Sequence, residues 1–188
     1  MAVSGRAAPA GSGLAELIGS RLRDVMDYPK PGIVFKDITP LLGDATAFAA
    51  VVAGLADGHR EGEPGRIHKV AGIEARGFIF AAPVAYELGA GFVPVRKQGR
   101  LPHTTYAETY QLEYGSATIE MHADAVSPGE RVLIIDDVLA TGGTAAATAS
   151  LIRRSGAEVA GVSVVVELGF LGGRSSLTGL EVRSLLPV

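Results

Sequence analysis

The chain contains no cysteine and no tryptophan, and aromatic residues make up only 6% of its 188 residues. Without a thiol there can be no disulfide and no thiolate-bound zinc. The four histidines, His59, His68, His103 and His122, follow no metal-ligand spacing, so a structural metal is not expected. Net charge is scarce too. A balance of −3 is too mild for a nucleic-acid or membrane surface, and neither partner is expected. No long hydrophobic run occurs. The most apolar stretch, residues 77–86, holds ten uncharged residues before Glu87, where a spanning helix needs about 20. The opening MAVSGRAAPAGS has no sustained apolar core, so it is not a secretory signal. Residues 1–12 are expected to form a disordered tail, and residues 13–188 a single domain. With 47% hydrophobic and 20% charged residues, that domain should fold as a soluble cytoplasmic globule.

What is present is an alternation of signals. Leu14, Leu17, Ile18, Leu22 and Val25 have helical spacing, which predicts a helix from Leu14 to Val25. The three prolines of DYPKPGIVFKDITPLL predict a structured loop from Asp27 to Leu42. Asp44 is placed to cap a second helix. Strands are then predicted at Ile67–Ile73, Phe92–Lys97, Arg131–Asp137 and Glu158–Leu168, with a short last one at Leu180–Leu186. Helices are predicted at Phe78–Leu88 and Thr144–Ser155. Thr109–Gly115 and Ala117–His122 form a predicted hairpin. Unbroken β-branched runs separated by single helices imply an α/β fold, a mostly parallel central sheet with helices on both faces.

One stretch carries chemistry: IIDDVLATGGT, Ile134 to Thr144. In such sheets ligands bind beyond the carboxyl ends of the strands. An apolar strand runs there into Asp136 and Asp137, then into a turn at Ala140, Thr141, Gly142, Gly143 and Thr144 that opens a helix. Bare glycine backbone and a helix N-terminus can converge N–H groups on a phosphate. The turn has neither the lysine of a Walker A loop nor the three spaced glycines of a dinucleotide site. Adjacent carboxylates repel, but they accept hydrogen bonds well and match a vicinal diol. A sugar 5-phosphate would put its phosphate in the turn and its hydroxyls on the aspartates, and Mg²⁺ could share those oxygens.

VLIIDDVLATGGT resembles the 5-phosphoribosyl-1-pyrophosphate (PRPP) motif of the type I phosphoribosyltransferases. YPKPGIVFKDITPLL, GIEARGFIFAAPVAYELG, VPVRKQGRLP, ETYQLEYGSATIEMH and ELGFLGGRSSL resemble the adenine phosphoribosyltransferases of that family, in order and over roughly residues 14 to 188. The resemblance implies the type I fold with a flexible flap hairpin and a small hood. It implies purine salvage: adenine and PRPP giving AMP and pyrophosphate, with Mg²⁺ as cofactor and a homodimer as assembly. It places adenine on Val34, Phe35 and Lys36, with Phe35 stacking on the base and the backbone of its neighbours reading the base edge. Pyrophosphate falls to Arg76, Arg96, Lys97 and Arg100. QGRLPHTTYAET (Gln98–Thr109) becomes the mobile flap that closes over PRPP. Glu113 becomes the catalytic acid facing N7 of the base, because protonating N7 eases cleavage at N9. No side chain spells adenine, so transfer to hypoxanthine, guanine or xanthine stays open, as does a PRPP-sensing regulator.

Overall fold

A computed structural model describes residues 11–60, 65–111 and 115–188. The chain divides into two units, Met1–Gly54 and Leu55–Val188.

The first unit contains α1 (Gly11–Arg21), β1 (Arg23–Met26), β2 (Val34–Asp37), α2 (Thr39–Gly43) and the start of α3 (Ala45–Ala56). Leu14 and Ile18 are buried one turn apart, as their spacing predicts. The helix ends at Arg21, however, and not at Val25. Residues 23–26 pair antiparallel with β2, Val25 opposite Phe35 and Met26 opposite Val34, and this ladder overrides the local helical pattern. The proline-rich segment is likewise more than a loop, for it carries β2 and α2. Pro40 falls in the first turn of α2, where a missing N–H leaves no bond unmade. Asp44 caps α3 as predicted. Its Oδ1 accepts from the N–H groups of Thr46 and Ala47 at 2.9 and 3.1 Å, while Arg21 Nε donates to Oδ2 at 2.8 Å. Arg21 and these amides hold the Asp44 carboxyl below its ordinary value.

The second unit is built on one seven-stranded sheet. Its elements are β3 (Lys69–Ile73), α4 (Gly77–Glu87), β4 (Gly91–Lys97), β5 (Thr105–Gln111), β6 (Ser116–His122), β7 (Arg131–Leu139), α5 (Gly143–Arg154), β8 (Glu158–Glu167) and β9 (Val182–Pro187). The spatial order is β5-β6-β4-β3-β7-β8-β9. β4, β3, β7, β8 and β9 run parallel, and the β5–β6 hairpin is antiparallel at one edge. β3–α4–β4 steps to one side of the sheet and β7–α5–β8 to the other. Right-handed crossovers in opposite directions put the two helices on opposite faces. Period-two alternation feeds both. Ala71, Ile73, Val132 and Ile134 pack with Ala145, Ala149, Leu151 and Ile152 of α5. Gly72 turns to α4, where an added Cβ would lie 2.7 Å from that of Ala81. Its bare α-carbon lets α4 settle on the strand.

Two details correct the sequence reading. β5 begins at Thr105, so Thr105–Thr109 of the predicted flap are strand and not loop. Thr105 pairs with His122 and Thr109 with Thr118, and Tyr106 and Tyr110 pack on the α5 face. β7 also runs two residues past the aspartates. It remains paired with β8 to Leu139, but its ladder with β3 ends at Ile135.

Candidate active site

That loss of one neighbour makes the site. β3 and β7 are where the two crossovers diverge, and in open α/β sheets the crevice forms at such a switch point. Asp136 and Asp137 follow immediately after the last β3 pairing. A cavity of about 410 Å³ opens there, lined by Glu74, Arg76, Lys97, Tyr110, Asp136, Asp137, Ala140 and Thr144, among others. A smaller hollow of about 70 Å³ adjoins it and is lined by Ala140, Thr141, Gly142, Gly143 and Thr144.

The acidic couple is costly to hold. Burial, reinforced by the neighbouring Asp137 charge, pushes the Asp136 carboxyl well above its ordinary value. Burial also raises Asp137, against the pull of Arg76, whose Nε stands 2.8 Å from Asp137 Oδ2. Asp136 Oδ1 accepts the Asp137 N–H at 2.9 Å. α4 begins so close to this couple that a Cβ on Gly77 would lie 2.8 Å from Asp136 Oδ1 and 3.1 Å from the Ile135 carbonyl oxygen. Glycine is required at that approach.

The turn after β7 uses its glycines differently. Gly142 is left-handed, φ +80°, and caps α5. Gly143 lies against Tyr110, whose Cδ2 would be 3.1 Å from an added Cβ. Thr144 Oγ1 donates to Tyr110 Oη at 2.9 Å, tying the turn to β5.

The basic residues divide. Arg76 and Lys97 line the cavity. Arg96 is engaged by Glu74 Oε1 at 3.3 Å and by the Arg100 carbonyl at 2.9 Å, and neither Arg96 nor Arg100 is among the lining residues. Val34, Phe35 and Lys36 lie on β2 in the first unit. Tyr28 packs edge-on to Phe35 at 5.1 Å, and Lys36 Nζ reaches Asp24 at 2.7 Å. Glu113 lies outside the described residues.

Two residues in the cavity wall were not singled out from sequence. Tyr110 falls within the predicted hairpin strand Thr109–Gly115 with no role of its own. Glu74 stood in a quoted turn without a role, yet its Oε2 accepts the Lys97 N–H at 3.0 Å and its Oε1 faces Arg96. Burial works to raise Glu74, but those bonds outweigh it and the carboxyl sits below its ordinary value. Nothing in local sequence marks either residue, because the partner is 34 positions away in one case and 23 in the other.

A strand, an acidic couple and a left-handed glycine turn into a helix meet at a sheet switch point, the arrangement that the resemblance to the phosphoribosyltransferases leads one to expect. Residues 42–175 match the family model of the phosphoribosyl transferase domain. The adenine phosphoribosyltransferase of Thermobifida fusca is 60% identical over 175 residues, covering 93% of this chain and 98% of that one. The crystal structure of the Rhodothermus marinus adenine phosphoribosyltransferase superposes with a TM-score of 0.88 at 50% identity, covering 94% of this chain and 99% of that one. The Saccharomyces cerevisiae enzyme, solved with an imino-altritol bisphosphate and adenine, gives a TM-score of 0.88 at 36% identity, covering 93% and 99%. The chain belongs to the phosphoribosyltransferase family, among its adenine phosphoribosyltransferases. Members of the family generally use Mg²⁺ with PRPP. Among the described residues no helix is long and apolar enough to cross a membrane.

Proposed function

We propose that this chain transfers the 5-phosphoribosyl group of PRPP to adenine, releasing pyrophosphate and giving AMP, with inversion at the anomeric carbon. The observation that carries this reading is the shared cavity of Asp136, Asp137 and the Ala140–Thr144 turn. In it the turn takes the 5-phosphate on backbone N–H groups and the α5 N-terminus. Asp136 and Asp137 accept hydrogen bonds from the ribose hydroxyls and lie near the positive charge that builds on the ring as pyrophosphate departs. Arg76, Lys97, Arg96 and Arg100 receive the pyrophosphate, which requires Arg76 to exchange its bond with Asp137 for one to the substrate. Glu113 faces N7 of the base, accepting the N7 proton as N9 bonds to the anomeric carbon and returning it in the reverse direction. Val34, Phe35 and Lys36 hold adenine. β2 has β1 as its one strand neighbour in a two-stranded sheet, which suits read-out of the base by main-chain groups.

Mg²⁺ fits the donor set. Adjacent carboxylates are the oxygen ligands that this ion takes alongside substrate phosphates. Among the described residues there is no group of three or more His, Cys, Asp or Glu that could hold a metal. When bound, it neutralises charge on the leaving pyrophosphate. The assembly is a homodimer.

The test is AMP formation from adenine and PRPP, assayed beside hypoxanthine, guanine and xanthine. AMP as the dominant product supports the reading. Turnover of another base alone refutes adenine as substrate, and PRPP binding without any turnover turns the protein into a sensor. Glu113→Gln should lower kcat by about 10² to 10⁴.

A further inference from the structure

Behind the turn lies the 3-10 segment Gly173–Leu177, to which the mechanism gives no part. Three contacts join them. The Ala140 carbonyl oxygen faces the α-carbon of Gly173 so closely that any Cβ there would collide with it. The Thr141 carbonyl accepts a hydrogen bond from Ser176 Oγ at 2.9 Å. The α-carbon of Gly142 faces the Gly173 carbonyl, with Ser176 Cβ 3.0 Å from where a Gly142 Cβ would sit.

These contacts determine where the amides point. In a trans peptide the C=O and N–H are antiparallel, and the peptides from Ala140 to Gly142 are not among the cis bonds of the described chain. Two successive carbonyls, those of Ala140 and Thr141, face the 3-10 segment. The N–H groups of Thr141 and Gly142 therefore point to the opposite side. The small hollow is lined by Ala140–Thr144 and by no residue of Gly173–Leu177. Successive amides aimed the same way form an anion-binding nest.

The segment is itself fastened. Arg174 forks onto Glu167, Nε to Oε1 at 2.7 Å and Nη2 to Oε2 at 2.8 Å, and its Nη1 donates to the Val182 carbonyl at 2.8 Å. Ser184 Oγ donates to the same Glu167 at 2.7 Å. The brace is thus anchored to the ends of β8 and β9, independently of any ligand.

We infer that Gly173–Leu177 is a brace for the phosphate turn, with Ser176 the positioning residue that draws the Thr141 carbonyl outward and so aims the Gly142 N–H at the substrate 5-phosphate. This rests on the proposed phosphate site. Ser176 touches no substrate and acts only through the turn.

The experiment compares wild type, Ser176→Ala and Gly173→Ala, each as the full chain. Calorimetry gives the Kd for ribose 5-phosphate, and steady-state kinetics at saturating PRPP give the KM for adenine. S176A should raise the ribose 5-phosphate Kd about 3- to 10-fold, the worth of one hydrogen bond, with the adenine KM within about twofold. G173A, which forces the Ala140 carbonyl aside, should raise that Kd further. Should G173A fail to fold, S176A decides alone. An unchanged ribose 5-phosphate Kd in S176A overturns the brace, and so does an adenine KM that rises in step with it. A wild-type protein that binds no ribose 5-phosphate removes the phosphate site itself, and the brace falls with it.

Discussion

Asp136 works against the fold that contains it. Its carboxyl has a folded-state value well above the ordinary 3.8, first because it is buried and then because Asp137 is beside it. A raised folded value means that the native state binds the proton more tightly than the unfolded chain. Stability from this group is therefore present in acid and is lost as pH rises from about 3.8 through the raised value. Asp136→Asn keeps an oxygen for the Asp137 N–H and removes the charge. It should raise the melting temperature by a few degrees near pH 7, with a smaller gain below pH 4, while cutting kcat/KM for PRPP at least about 100-fold. Calorimetric melts at the two pH values and a PRPP titration check both halves. Glu167 behaves oppositely. Its hydrogen bonds from Arg174 outweigh burial and hold it below the ordinary 4.5. The pair therefore stabilises above pH 4.5 and loses its effect as pH falls through the lower folded value. Arg174→Ala should cost about 1 to 2 kcal/mol at pH 7, discounted because the arginine is half exposed. Urea denaturation would show that cost shrinking below pH 4.5.

At the level of elements, the β5–β6 hairpin and the phosphate turn are one device. Tyr110 reaches from β5 to Thr144 Oγ1 and packs on Gly143. Arg154, at the far end of α5, lies over the Tyr106 ring at 5.0 Å and donates to the Ala107 carbonyl at 2.8 Å. Both ends of α5 thereby hold the hairpin. Tyr110→Phe keeps the ring and deletes the hydroxyl. It should raise the KM for PRPP about 3- to 10-fold, with a melting temperature within about two degrees of wild type. An unaltered KM would mean that the Thr144 hydroxyl needs no such partner. This element was half legible. Tyr110, Leu112 and Tyr114 alternate along the strand predicted from Thr109, but the Gly, Pro and polar residues before it drew Thr105–Thr109 into the predicted flap. Only the pairing of Thr105 with His122 brings them into the sheet. β1 failed for a related reason. Val25 continues the spacing of α1 by coincidence, and a four-residue strand has no periodic signal strong enough to compete.

At the level of the molecule, two expectations follow. Chelation with EDTA should abolish AMP formation and added Mg²⁺ restore it, since the ion is proposed to accompany PRPP and neutralise charge on the departing pyrophosphate. The proposed homodimer should sediment at twice 19.3 kDa. Ile79 and Tyr86 of α4 and Phe92 of β4 are exposed, Tyr86 at 89%. If these apolar groups form the contact, Tyr86→Glu should shift the protein toward monomer, and sedimentation across a concentration series would detect it.

The sequence by itself determined the parallel sheet, the place of the aspartates and the glycine turn, because each is local. β-branched runs bury on both faces, and adjacent carboxylates with adjacent glycines have few other uses. Arg76 and Lys97 were named through the resemblance, one just beyond a strand and one at the end of another. What only tertiary structure decided was how these groups are held. Asp137 is paired with Arg76, Arg96 is turned onto Glu74, and the turn is braced by Gly173 and Ser176. Each of those bonds joins residues more than 20 positions apart. No local periodicity encodes such a contact, because chain closure and packing bring its partners together.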